Sequence, residues 1–137
     1  MDETVSIVLF SGTDDKLQAA SVMVAGAAAL GKPVKVLLQY WALEAFRADR
    51  IKADHGLVPE AGDSGRAAFE AAAKAGVAHW SDNFRAAKEI GEVDIQACSL
   101  SMDVLKLKAS DLDSLVDGVE GVAAFYINAG EGQILFI

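Results

Sequence analysis

Apolar and polar positions divide the chain into alternating strand-like and helix-like blocks. Val5-Ser6-Ile7-Val8-Leu9-Phe10 is a nearly unbroken apolar run with β-branched residues, the pattern of a strand buried on both faces. Ser11-Gly12-Thr13 follows as a loop, with Thr13 placed to cap a helix and Asp14 and Asp15 suited to its positive end. That helix runs to about Leu30, where Gly31 and Pro33 stop it, glycine just past the last turn and proline beyond. Residues 34–39 then read as a second buried strand, closing a strand–helix–strand unit.

Residues 41–51 predict a helix, with Leu43, Phe46 and Arg47 at helical spacing. His55-Gly56-Leu57-Val58-Pro59 and Gly62 mark a loop, and residues 66–75 form an alanine-rich helix stopped by Gly76. Residues 76–80 are a connector or a short extended piece. Asp82 is placed to cap a helix that ends at Gly91 after Lys88. A third strand over 93–97 runs directly into Cys98 and a helical stretch over 99–107. Ser110-Asp111-Leu112-Asp113 resembles a capping box with aspartate in the place of glutamate. A short strand over 117–119, a helix over 122–129 and a strand over 133–137 complete the chain. Strands alternating with helices, without a strong hairpin signal, predict an α/β fold with a parallel sheet covered by helices. The expectation is one three-layer α/β/α domain over residues 1–137, its sheet mostly parallel and of about five strands.

Composition narrows the function classes. Hydrophobic residues make up 53% of 137, enough for a core without disulfides or a structural metal. The net charge of −8 disfavours nucleic acid and anionic membrane surfaces, which both need a basic stripe. The longest apolar run, residues 19–30, is too short to span a bilayer. Met1-Asp2-Glu3-Thr4 has neither the basic nor the apolar region of a secretory signal, and a single cysteine cannot form an internal disulfide. The expected location is the cytoplasm.

The strand–cysteine–helix junction is the most informative local feature. It puts Cys98 at the C-terminal edge of the sheet, where open α/β sheets bind ligands. It also puts the sulfur at a helix N-terminus, where unpaired N–H groups favour the reactive thiolate. Ser99 and Ser101 could hydrogen-bond the sulfur or a bound anion. The structural alternative is a free cysteine acting as a small buried hydrophobe. Ser11, Gly12 and Thr13 after the first strand, and Tyr40 and Trp41 after the second, should open at the same edge. They are candidate substrate-binding residues, although a turn glycine and aromatics packed on the sheet end would look the same. A helix N-terminus at Thr13 could also hold an anion weakly.

The segment Ile95-Gln96-Ala97-Cys98-Ser99-Leu100-Ser101-Met102-Asp103-Val104-Leu105 resembles the cysteine segment of DsrE/DsrF-like proteins. Val8-Leu9-Phe10-Ser11-Gly12, Leu30-Gly31, Gln39-Tyr40-Trp41-Ala42-Leu43, Asp117-Gly118-Val119 and the terminal strand extend the likeness over most of the chain. Ala42 stands where the family usually has glycine. The resemblance implies a parallel-sheet α/β fold, homo-oligomers (trimers or hexamers), and a cysteine that carries sulfane sulfur as a persulfide. It implies partners such as a TusA-like sulfur carrier or a rhodanese, and no cofactor. Only Cys98 can take the acceptor role here, so handover must be intermolecular.

Two other classes stay open: a non-catalytic oligomeric binding or regulatory module, and a thiol peroxidase. Asp94-Ile95-Gln96-Ala97 before Cys98 has neither the proline nor the hydroxyl residue of a peroxidatic motif. His55 and His79 have no recognisable spacing to a nucleophile. One cysteine and two histidines lack the clustering of a zinc site. Neither glycine-rich nucleotide-binding motif is present.

Overall fold

The computed structural model describes residues 3–137. The elements in chain order are β1 (Val5–Leu9), α1 (Asp14–Ala29), β2 (Val34–Leu38), α2 (Tyr40–Ala45), α3 (Gly62–Lys74), α4 (Trp80–Ile90), β3 (Val93–Cys98), α5 (Ser99–Leu105), β4 (Gly118–Glu120), α6 (Val122–Ala129) and β5 (Gln133–Phe136). The five strands pair in the order β4-β3-β2-β1-β5, every neighbouring pair parallel. The α/β class and the parallel sheet expected from the alternation are therefore observed.

Side-chain alternation divides the sheet into two unequal apolar faces. Ile7 and Leu9 of β1, Val34, Val36 and Leu38 of β2, and Ile95 and Ala97 of β3 join the main core with α1 and α4. Phe46, Trp80 and Phe84 form an aromatic knot in that core, with ring centroids 5.2 to 6.2 Å apart. The intervening positions Leu37 and Cys98 pack instead with Phe125 of α6, and Val8 lies against them. A long helical layer thus covers one face, and the eight-residue α6 packs on the other.

Where local patterning and structure differ, tertiary hydrogen bonds explain the change. The helix expected over 41–51 is only Tyr40–Ala45. Beyond it the backbone is captured by the 111–113 segment: Asp113 N–H donates to Phe46 O at 2.8 Å, and Ala48 N–H to Asp111 O at 2.9 Å. The helix expected from residue 66 begins at Gly62. The helix expected to be capped by Asp82 is capped by His79, whose ring accepts from Ser81 N–H. In place of the reciprocal cap expected at Ser110–Asp113, a one-way cap lies earlier, with Lys108 N–H donating to Asp111 Oδ2 at 2.9 Å. The helix after Cys98 ends at Leu105 because Lys106 turns left-handed, with φ of 56°.

Candidate functional site

The parallel sheet turns all its strand ends the same way, so the loops after β1, β2 and β3 gather at one edge. Cys98 closes β3 and is the N-cap residue of α5. The strand–cysteine–helix junction is therefore as expected, but the sulfur is more enclosed than a rim position suggests. Cys98 is 2% exposed and lies in the small cluster with Leu37 and Phe125. Its polar contact is Gln39, whose Nε2 lies 3.8 Å from Sγ.

Gln39 belongs to the segment that carries the family likeness but is not among the candidate site residues of the sequence reading. Leu38 pairs with Ala97 in the β2–β3 ladder, so the next residue along each strand is Gln39 and Cys98 respectively. Only the strand order makes these two neighbours. Glu120 is a second such residue: it stands opposite Cys98 in the β3–β4 register. Burial, with Asp94 nearby, raises its carboxyl above the ordinary glutamate range, while Asn128 of α6 donates to Oε2 at 3.3 Å.

The other candidate residues separate into distinct places. Ser11, Gly12, Thr13 and Trp41 line a cavity of about 350 Å³ with Phe10, Lys16, His55, Val58 and Pro59. Cys98 is not part of its wall. Tyr40 lies between Phe10 and Trp41, with centroid distances of 5.6 and 6.1 Å. Its φ of 38° is strained for a bulky residue. Gly12 is required by close packing, since a Cβ there would collide with the Trp41 carbonyl oxygen. Ser99 opens α5, whereas Ser101 is fully buried and its hydroxyl has no hydrogen-bond partner among the described residues.

The two carboxylates that open α1 are held by the 55–58 loop and by the start of α4. Asp14 Oδ2 accepts from His55 N–H at 3.0 Å, and Asp14 Oδ1 from Trp80 Nε1 at 2.9 Å. Asp15 accepts from Val58 N–H at 3.3 Å and from Lys16 N–H at 3.0 Å. Burial alone would raise the Asp15 carboxyl, but the hydrogen bonds it accepts hold it below the usual aspartate value. Thr13 is the N-cap residue by backbone geometry, yet its side chain makes no capping bond. Among the described residues there is no cluster of three or more metal-ligating side chains, and no helix is long and apolar enough to cross a membrane.

The fold resembles the structure of a protein of unknown function from Methanobacterium thermoautotrophicum, at a TM-score of 0.53 and 13% identity. That likeness covers 99% of this chain and 100% of the other. The uncharacterized protein YrkE of Bacillus subtilis is 30% identical over 154 aligned positions, which span 96% of this chain and 95% of that protein. Residues 1–62 match the DsrE/DsrF/DrsH-like family, a stretch that carries β1 to α2 and their loops. With the match to YrkE running through the cysteine segment to nearly the full length of both proteins, the chain belongs to the DsrE/DsrF/DrsH-like family.

Proposed function

We propose that this protein is a small cytoplasmic sulfur carrier or sulfurtransferase that accepts sulfane sulfur on Cys98 and passes it to a partner thiol. The observation that carries this reading is the position of Cys98, the chain's one cysteine, at the C-terminal edge of a parallel sheet in a DsrE/DsrF/DrsH-like protein. In the loading step the Cys98 thiolate attacks the outer sulfur of a donor persulfide. A new S–S bond forms at Sγ, the donor S–S bond breaks, and its electron pair leaves on the donor thiolate. That thiolate takes up the proton Cys98 has lost, so no net oxidation occurs. Unloading is the same exchange with an acceptor thiol. A rhodanese fits the donor role and a TusA-like carrier the acceptor role.

Cys98 is 2% exposed and clusters with Phe125, so a movement of α6 would open the sulfur to a protein partner. The helix is short, buries only Phe125 and Ala129, and is flanked by Gly121 and Gly130. These features support such an opening.

A second reading, a homo-oligomer (a trimer or hexamer) working as a binding module, is favoured by exposed apolar side chains around α6 and β5. Tyr126, Ile127 and Phe136 are 61%, 79% and 68% exposed. Isolated large apolar side chains are common on surfaces, but a group of them beside an open sheet edge marks an interaction face.

Incubation with polysulfide, or with thiosulfate and a rhodanese, followed by intact-mass measurement, tests the first reading. The expected result is an added sulfur that is absent in Cys98→Ser and transfers to an acceptor thiol. An unmodified wild-type protein under every donor would overturn it and leave the binding-module reading. Peroxide consumption dependent on Cys98, with no sulfur loading, would instead identify a thiol peroxidase.

A further inference from the structure

We propose that the hollow beneath α3 is a binding site for a small uncharged apolar molecule, a substituted aromatic ring or a short alkyl chain, and that α3 is the element that closes over it. Cys98 has no part in its wall, so the site stands apart from the sulfur chemistry.

α3 differs from the other long helices of the fold. None of its 13 residues is buried, although Phe69, Ala72 and Ala73 are spaced to share one face. Its alanine-rich sequence keeps it helical without that burial. α1 and α4 pack closely on each other, whereas α3 makes extended contact with neither of them, nor with the sheet. Glycines with positive φ stand at both ends: Gly62 opens the helix at 59°, and Gly76 follows it at 95°. Val77 N–H then donates to Ala72 O at 3.0 Å, and the chain returns to the start of α4.

The apolar face of α3 lines a cavity of about 250 Å³. Val77, Ala78 and Trp80 carry the wall onward from the helix, and Asp14 and Gln18 complete it from the first turns of α1. Trp80 is a fixed part of that wall, being 2% exposed and bonded through Nε1 to Asp14. An apolar cavity of about 150 Å³ is enough to hold benzene. The hollow under α3 therefore has room for a ring with a substituent, and it is too small for a partner's helix or strand.

The charges around the hollow specify an uncharged occupant. Asp14 already accepts from His55 N–H and from Trp80 Nε1, and it lies at the positive end of α1. Burial, and secondarily Lys52, lower the His79 imidazole and keep it neutral. Its Nδ1 accepts from Ser81 N–H, so the ring proton sits on Nε2. Gln18 adds a neutral amide, and no lysine or arginine lines the cavity. A charged ligand would give up its hydration for a wall that has no free counter-charge to return.

The test is ligand-observed fluorine NMR of the full chain with 4-fluorotoluene as the probe, beside 4-fluorobenzoate and 4-fluorobenzylammonium. The expected result is saturable binding of 4-fluorotoluene, with both charged analogues at least about tenfold weaker. Ala72→Leu, which fills the hollow from α3, should weaken binding by more than about tenfold, and Phe69→Ala, which removes apolar wall, by about fivefold. Ala67→Leu, the same change away from the cavity, should leave it unchanged. These positions are not buried, so the variants keep the fold, as far-ultraviolet circular dichroism checks. Absence of saturable 4-fluorotoluene binding would overturn the inference. So would undiminished binding by Ala72→Leu, or a charged analogue that binds as tightly as the neutral one. A wild type that binds no probe but self-associates in light scattering, with Ala72→Leu monomeric, would assign the hollow to a side chain of a second copy instead.

Discussion

Trp80 Nε1 donates to Asp14 Oδ1 at 2.9 Å, joining the start of α4 to the start of α1 across the main core. The same carboxylate accepts from His55 N–H, so one aspartate secures two helices and the loop between α2 and α3. Trp80 is buried, and its indole lies in the aromatic knot with Phe46 and Phe84. Trp80→Phe should therefore cost about 2–3 kcal/mol, combining a lost hydrogen bond to a charged group with lost packing. Chemical denaturation measures it, and a cost below about 0.5 kcal/mol would show that the bond contributes nothing net.

Phe125 shares a buried cluster with Cys98 and Leu37. Phe125→Ala should cost about 3 kcal/mol of stability and at the same time accelerate alkylation of Cys98 by iodoacetamide in the folded protein. The rate is read under native conditions by intact mass. An unchanged alkylation rate would mean that α6 is not what shields the cysteine.

Gly12 lies against the Trp41 backbone so closely that any side chain must displace it. Gly12→Ala should lose about 2 kcal/mol or more and shift the Trp41 fluorescence, since Trp41 is 55% exposed on the cavity wall. Trp80 also emits, so the measurement is made alongside Trp41→Phe. A variant with unchanged stability and emission would place the wall elsewhere.

His79 couples the protein's stability to pH. Burial, and secondarily the nearby Lys52, lower its imidazole below the ordinary value near 6.5. Its Nδ1 accepts the α4 capping bond from Ser81 N–H at 3.1 Å, which requires that nitrogen to be unprotonated. The folded state therefore binds fewer protons than the unfolded chain. The stabilisation is fully present above the unfolded pKa of about 6.5 and is lost as pH falls from there through the folded pKa. His79→Asn keeps a capping acceptor without a titrating ring. Its stability should be flatter than wild type below pH of about 6.5, as read by denaturation at a series of pH values. Parallel curves for the two proteins would refute the coupling.

Much of the architecture was legible from local pattern. The buried-strand patterns at residues 5–10 and 34–39 and the strand expected over 93–97 become three adjacent parallel strands. The helix over 41–51 was misjudged because periodicity records which residues are apolar and not which backbone groups a distant segment will claim. Here residues 111–113 take the bonds that a longer α2 would have used. The His79 cap was missed because a histidine ring lies outside the usual set of capping side chains.

Length, patterning and the single cysteine were enough to determine an α/β domain with Cys98 between a strand and a helix. That information is local, since the period of apolar positions and the residues that stop an element act over a few neighbours. The surroundings of the sulfur were decided elsewhere. Strand order puts Gln39 and Glu120 beside Cys98, the α6 crossover brings Phe125 into its cluster, and the fold ties Asp14 and Asp15 to the 55–58 loop. These partners are separated from one another by tens of residues. Only the free energy of packing the whole sheet and its helices selects the arrangement that joins them.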